Sequence, residues 1–162
     1  MNKIFIISLI STIFIITGCM GTPSHNAKNT KRLATQHEDF FKEGIKQLKE
    51  KDIKDALISL KRAITQDPTD PKPYIMLGEI YIKAGFYENA VKYLEAASRL
   101  MPNDGKLRLE LARCYGLSGE NKKSIESLKE SIELFKAQND IEDYKKATAL
   151  LSELMHTATT KK

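Results

Sequence analysis

The chain of 162 residues has few of the side chains that usually carry chemistry. It contains only two cysteines, and its three histidines have neither a cysteine nor a carboxylate at the spacing of metal ligands (Cys19, Cys114; His25, His37, His156). No glycine-rich phosphate loop is present, and the acidic residues are scattered rather than isolated in apolar settings. We therefore expect no metal site, no cofactor and no catalytic centre.

Acidic residues are absent from the first 36 positions. The whole chain has 26 basic and 21 acidic residues and a formal net charge of +5, but four of the bases lie in this acid-free segment. The other 22 bases and the 21 acids leave residues 37–162 nearly neutral. Because binding to a nucleic-acid backbone requires basic residues clustered on the folded body, the charge pattern argues against a nucleic-acid partner.

A hydrophobic run long enough to cross a bilayer is also missing. The apolar segment from Ile4 to Thr17 has 14 residues. As a helix it would be about 21 Å long, against a hydrocarbon core of roughly 30 Å. It follows a short charged start, which is typical of an export signal rather than of a folded domain.

The end of this run, Ile16-Thr17-Gly18-Cys19, resembles the lipobox of bacterial lipoprotein signal peptides, although Ile16 stands where leucine is commonest. The resemblance implies that residues 1–18 are removed and that Cys19 is lipidated, which leaves Cys114 without a partner for an internal disulfide. A plain signal peptide and a short uncleaved anchor are the alternatives.

The residue after the cysteine bears on localisation. In Gram-negative members of the lipoprotein family an aspartate there usually marks retention in the inner membrane, and this chain has Met20. The resemblance therefore implies export and a lipid anchor in the outer membrane, facing the periplasm, if the cell has two membranes. Residues 19–36 are rich in small polar residues, so we expect a flexible tether there.

A 34-residue period organises the rest of the chain. It relates small residues and leucines of successive units, namely Gly44, Gly78 and Ala112, and Leu60, Leu94 and Leu128. Each unit holds two amphipathic helical patterns separated by a break. The sequence therefore predicts an all-α array of helix-turn-helix units.

The repeat resembles the tetratricopeptide repeat (TPR), most closely in residues 71–104. The residues in phase with that family are Tyr74, Leu77, Gly78, Tyr81, Gly85, Ala90, Tyr93, Leu94, Ala97 and Pro102. The resemblance implies a helix-turn-helix solenoid in which Gly78 lies where the two helices of one unit cross. The expected segments are three repeats (37–70, 71–104 and 105–138), a C-terminal capping helix over 139–156 and a disordered tail over 157–162.

In TPR arrays, one stripe of the first helix of each unit lines an inner groove in which peptides and helices of partners dock. The positions of that stripe here are Phe41, Ile45, Leu48, Lys72, Ile75, Glu79, Ile82, Lys106, Leu109 and Arg113. Apolar residues flanked by bases favour a partner segment that is apolar or amphipathic with some negative charge. The alternatives are that these side chains are only half-buried between neighbouring helices, or that residues 28–36 fold back and cover them.

One TPR subclass, which binds chaperones, holds a C-terminal carboxylate with Lys, Asn and Arg at set groove positions. Only Lys106 agrees with that set, so we do not expect carboxylate-clamp recognition.

The sequence thus favours a membrane-anchored TPR scaffold that binds a protein or peptide, in an envelope-assembly role such as that of a pilotin or an accessory of an envelope complex. A structural homo-oligomer, in which another copy buries the groove, and a small envelope enzyme are the alternatives. No residue selects the partner.

Overall fold

The computed structural model describes the backbone of residues 24–160 and the side chains of residues 36–157. The predicted signal peptide and the predicted lipidation site, Cys19, lie outside the described residues. Every regular element of the described part is an α-helix. The helices are α1 (Ser24–Lys49), α2 (Ile53–Gln66), α3 (Pro71–Lys83), α4 (Tyr87–Leu100), α5 (Gly105–Leu117), α6 (Asn121–Ala137) and α7 (Ile141–Thr160).

The helices pack as successive pairs. The contacts within pairs join α1 to α2, α3 to α4 and α5 to α6, and each pair rests on the next through α2 with α3, α4 with α5 and α6 with α7. The predicted all-α solenoid is confirmed. Because each unit contacts only its neighbours, its stability is approximately a sum of units and of the interfaces between them.

Tight turns join the two helices of a unit. Lys51, Gly85 and Gly119 adopt positive φ angles of 65°, 77° and 86°. In the second unit the N–H of Phe86 then donates to the carbonyl oxygen of Tyr81 at 2.9 Å, which satisfies a carbonyl at the end of α3. The left-handed residue reverses the chain, so the second helix folds back on the first.

The same turn joins α6 to α7. Asn139 has φ 57°, and the N–H of Asp140 donates to the carbonyl oxygen of Phe135 at 2.9 Å. Asparagine tolerates the left-handed region better than most residues with a side chain. Helix α7 therefore folds back on α6 in the way that the second helix of a unit folds back on the first.

Aspartates start the first helices of the second and third units. An oxygen of Asp70 accepts from the N–H of Lys72 at 2.9 Å, and one of Asp104 accepts from the N–H of Leu107 at 3.0 Å. Each bond satisfies a helical N–H that lacks a partner within the helix. These caps fix the start of α3 and of α5, and with them the register of the candidate groove residues.

Glycines allow close approach of the two helices within a unit. A Cβ atom on Gly78 would lie 2.6 Å from Cδ2 of Leu94, and one on Gly44 would lie 2.9 Å from Cγ of Leu60. Both distances are too short for real carbon atoms. The expectation that Gly78 lies where two helices cross is confirmed.

Three apolar clusters form the core, one at each junction between units. The first centres on Leu60 and Leu77, the second on Leu94 and Leu111, and the third on Phe135, which packs under α7. Cys114 belongs to the second cluster and is only 2% exposed. Burial raises the pKa of its thiol to about 11, so it is protonated at neutral pH, as expected of a structural thiol.

The ends of the helical array differ from two expectations. Helix α1 already begins at Ser24, so residues 24–36, predicted as part of a flexible tether, are helical. They contain no Gly or Pro and include several strong helix formers, so nothing separates them from the first repeat. Helix α7 likewise continues to Thr160, past the predicted end at residue 156, because no helix breaker follows it. No described helix is long and apolar enough to cross a membrane.

Candidate partner-binding groove

The candidate groove residues lie on the first helix of each unit, and their surroundings differ between units. The apolar candidates on α1 and α3 are all half-buried, namely Phe41, Ile45, Leu48, Ile75 and Ile82. Phe41 and Leu48 pack on the first core cluster, and Ile75 and Ile82 pack on the second. Phe41, Leu48, Ile75 and Ile82 therefore each have one side in the core and another open to solvent, which combines the groove and the half-buried interpretations drawn from the sequence.

A cleft opens where the end of α1 meets α3. It has a volume of about 330 Å³, and Leu48 and Glu79 both contribute to its wall. Its five other lining residues were not among the predicted stripe residues (Ile53, Met76, Ile80, Lys83 and Ala84). The repeat register could have identified Met76, since it adjoins Ile75 on α3.

The charged residues of α3 form no ion pair within the described part of the chain. Lys72, Glu79 and Lys83 are all exposed, and none has an oppositely charged partner among residues 36–157. Lys49, at the end of α1, is likewise exposed and unpaired within the described chain. Lys46 of α1 is also exposed and without an ion pair within the described residues. The face made by α1 and α3, which we call the α1–α3 face, therefore carries four such lysines, with Glu79 as the acidic residue of α3.

Leu109, the apolar candidate on α5, is not part of an open groove. It is only 5% exposed and belongs to the third core cluster, which includes Ala147 of α7. Leu150 and Leu154 of the same helix pack against that cluster. The assignment of Leu109 to the groove is wrong, because the turn at Asn139 brings α7 over this position.

The two bases predicted to line the groove on α5 both have partners within the chain. Nζ of Lys106 lies 3.3 Å from Oδ2 of Asp143 on α7, and Nη1 of Arg113 donates to Oε1 of Glu110 at 2.9 Å. Lys146 and Lys106 together hold the pKa of Asp143 below its usual range. Both bases are exposed, so each pair contributes little to stability, but the pairs leave α5 with fewer free charges than α3.

A buried histidine joins α1 to the start of α3. His37 is 6% exposed, and its Nε2 lies 3.3 Å from Oδ2 of Asp70, the residue that caps α3. The angles do not make a hydrogen bond, so the contact is one of proximity between ring and carboxylate. It places the His37 ring of α1 beside the residue that caps α3. Sequence reasoning missed this contact because the two residues stand at opposite ends of the first predicted repeat.

A second cleft, of about 620 Å³, lies between α4, α5 and α6. Four of its polar side chains are paired with one another. The hydroxyl of Tyr115 donates to Oε1 of Glu95 at 2.5 Å, and Nη1 of Arg108 lies 2.7 Å from Oε2 of Glu130. Burial and the Glu95 carboxylate raise the pKa of Tyr115. Arg108 stands where the other repeats have an aromatic residue, so the sequence already indicates that the third unit differs from the other two at this place.

Residues 36–157 contain no cluster of three or more His, Cys, Asp or Glu side chains that could hold a metal ion. His37 lies at ion-pair distance from one carboxylate, that of Asp70.

Comparison with known proteins identifies the repeat. Residues 71–104 match the family model described as "Tetratricopeptide repeat". The helix pairs before and after this segment continue the same packing. The fold is a TPR solenoid. Helices α1, α3 and α5 are thus the first helices of its TPR units.

Curated relatives are much longer than this chain. A human PEX5-related protein is 32% identical over 89 residues, which cover 55% of this chain and 14% of that protein. Superkiller protein 3 of Schizosaccharomyces pombe is 26% identical over 111 residues, which cover 68% of this chain and 8% of that protein. The TPR chain thus aligns with only a small part of either relative.

Solved structures share the TPR fold at low identity. SycD, a type III secretion translocator chaperone of Yersinia enterocolitica, has a TM-score of 0.67 at 15% identity, covering 78% of this chain and 88% of SycD. PcrH of Pseudomonas aeruginosa, in complex with the chaperone binding region of PopD, has a TM-score of 0.64 at 20% identity, covering 75% and 92%. The first TPR of Spaghetti (RPAP3), bound to an HSP90 peptide, has a TM-score of 0.63 at 15% identity, covering 77% and 94%.

Proposed function

We propose that this protein is a membrane-anchored TPR adaptor that holds a segment of a partner protein on its α1–α3 face. One observation carries the proposal: the apolar stripe of α1 and α3 stays partly open and borders a cleft, whereas the equivalent position on α5, Leu109, is covered by α7. A stripe held open on a rigid pair of helices can bind an apolar segment without first rearranging.

Proteins with the same fold support a binding role. PcrH was solved with the chaperone binding region of PopD, and the first TPR of Spaghetti (RPAP3) was solved with an HSP90 peptide. The TPR2B domain of yeast Sti1 was solved in a complex with pHsp70. Each holds a piece of another protein on a TPR scaffold, and we propose the same mode of action for this chain by analogy.

The anchor is the second part of the proposal. The lipobox-like Ile16-Thr17-Gly18-Cys19 supports cleavage after residue 18 and lipidation of Cys19. Met20 supports sorting to the outer membrane in a cell with two membranes, and a role in assembly of the cell envelope is part of the same proposal. Because α1 begins at Ser24, at most about 18 Å of extended chain separates Cys19 from the helix. The adaptor would therefore present its partner close to the bilayer.

Replacing Cys19 with serine tests the anchor. We expect the C19S protein to move from the membrane fraction to the soluble fraction and to lose the mass of the lipid, because serine offers no thiol for acylation. The matched control is Cys114→Ser, which removes the other cysteine and should leave both membrane association and lipid mass unchanged. A C19S protein that stays in the membrane fraction, with an unchanged mass, would refute the anchor.

A further inference from the structure

The charges of the α1–α3 face define a chemical class of partner, an inference that rests on the proposed adaptor function. We propose that this face binds an acidic, amphipathic peptide segment: a large apolar side chain enters the cleft beside Leu48 and Met76, and carboxylates on either side of it contact Lys72 and Lys83.

The apolar part of the proposal follows from the cleft. Its wall combines side chains from the end of α1, the start of α2 and α3, chiefly Leu48, Ile53, Met76 and Ile80. Exposed Ile53 and half-buried Met76 leave apolar surface in contact with water. An apolar side chain of a partner would remove that surface from water, and anchors of this kind carry most of the energy of a typical interface.

The acidic part follows from which lysines are unpaired. Lys42 on α1 and Lys106 on α5 have carboxylate partners at 3.4 Å and 3.3 Å. Lys72, Lys83 and Lys49 have none within the described residues. A partner that supplies carboxylates at these three positions would complement the face, which raises the association rate and disfavours basic segments.

The positions of the charges also set a spacing. Lys72 and Lys83 stand at the two ends of α3, eleven residues apart, so their backbones are separated by about 16 Å along the helix. Glu79 lies between them and would repel a carboxylate at the centre of the segment. The matching partner therefore has its acidic residues toward both ends of the contact and its apolar residue between them.

Selection from a displayed library of random twelve-residue peptides tests the inference with the full chain as bait. We expect the selected peptides to be enriched in Asp and Glu around a large apolar residue. Their affinity should fall at least about tenfold for Lys72→Glu with Lys83→Glu, and it should weaken as salt is added. The matched control is Lys122→Glu with Lys129→Glu, which makes the same charge change on exposed positions of α6 and should leave affinity unchanged.

Two further variants separate failure of this inference from failure of the adaptor function. In one outcome, the selected peptides no longer bind the Ile75→Glu variant, but they are not enriched in acidic residues and their affinity does not change with the substitutions at Lys72 and Lys83. This outcome would overturn the proposal of an acidic partner and leave the adaptor function intact. Peptides that still bind after Phe41→Glu with Ile75→Glu, or a library that yields no binders, would contradict both. Both would also be contradicted if the chain forms a dimer that the Ile75→Glu change dissociates, since a second copy of the chain would then occupy the face.

Discussion

Replacing Gly78 with valine should lower the free energy of unfolding by about 3 kcal/mol and the melting temperature by roughly 6–12 °C. Helix propensity alone predicts a small gain, because glycine is about 0.5–1 kcal/mol worse than an ordinary residue inside a helix. Packing makes the net effect destabilising, because even a Cβ atom would lie 2.6 Å from Cδ2 and 2.8 Å from Cγ of Leu94, which is itself nearly fully buried.

A matched glycine on the next first helix is the control. At Gly116 on α5, the nearest atom to an added Cβ is Oγ of Ser124 at 3.4 Å, an ordinary contact. We expect Gly116→Val to change the free energy of unfolding by less than about 1 kcal/mol. If the clash with Leu94 is the cause, Gly78→Val should cost less in a Leu94→Ala background, with a coupling of about 1–3 kcal/mol in a double-mutant cycle by urea denaturation. Equal effects at both glycines would contradict this packing account.

The double replacement Phe41→Glu with Ile75→Glu should reduce partner capture at least about a hundredfold while helical content is retained. Loss of two apolar contacts of about 1.5 kcal/mol each corresponds to somewhat more than a hundredfold in affinity. Because both side chains are half-buried and have one side open to solvent, the new carboxylates can reach water and the fold survives. Crosslinking in membranes and circular dichroism measure the two quantities.

The control for this variant changes two exposed apolar residues on second helices. Ile58 on α2 is 44% exposed and Leu100 on α4 is 37% exposed, so Ile58→Glu with Leu100→Glu introduces the same chemistry outside the α1–α3 face. We expect it to leave partner capture unchanged. Equal loss from both pairs would point to general surface hydrophobicity rather than to a binding face.

Much of the fold could be predicted because its information is local. The 34-residue period indicates which positions are equivalent in successive units, so Gly78 could be assigned to the crossing of two helices from the sequence, whereas its contact with Leu94 comes from the structure. The start of α1 was harder to predict from the sequence. The small polar residues of this segment favoured a tether, but its first turns contain no helix breaker, and the helix therefore extends through them.

The site was predicted in part, and the reason for the error is physical. The repeat register placed Ile75 and Leu109 at equivalent positions, which is correct along each helix. It could not show that the turn at Asn139 folds α7 over Leu109, since burial there depends on a helix outside the repeat. The contact between His37 and Asp70 was missed for a different reason, because the two residues stand at the two ends of the first predicted repeat and the repeat alignment does not relate them to each other.

The most direct test of the adaptor account is photo-crosslinking in native membranes from a single position on each face. A photoreactive amino acid in place of Ile75 reports on the α1–α3 face, and one in place of the exposed Glu126 on α6 reports on the opposite helices. The account predicts a covalent product with another protein from position 75 and none from position 126. A product from position 126 alone, or a product from position 75 that contains only a second copy of this chain, would contradict it.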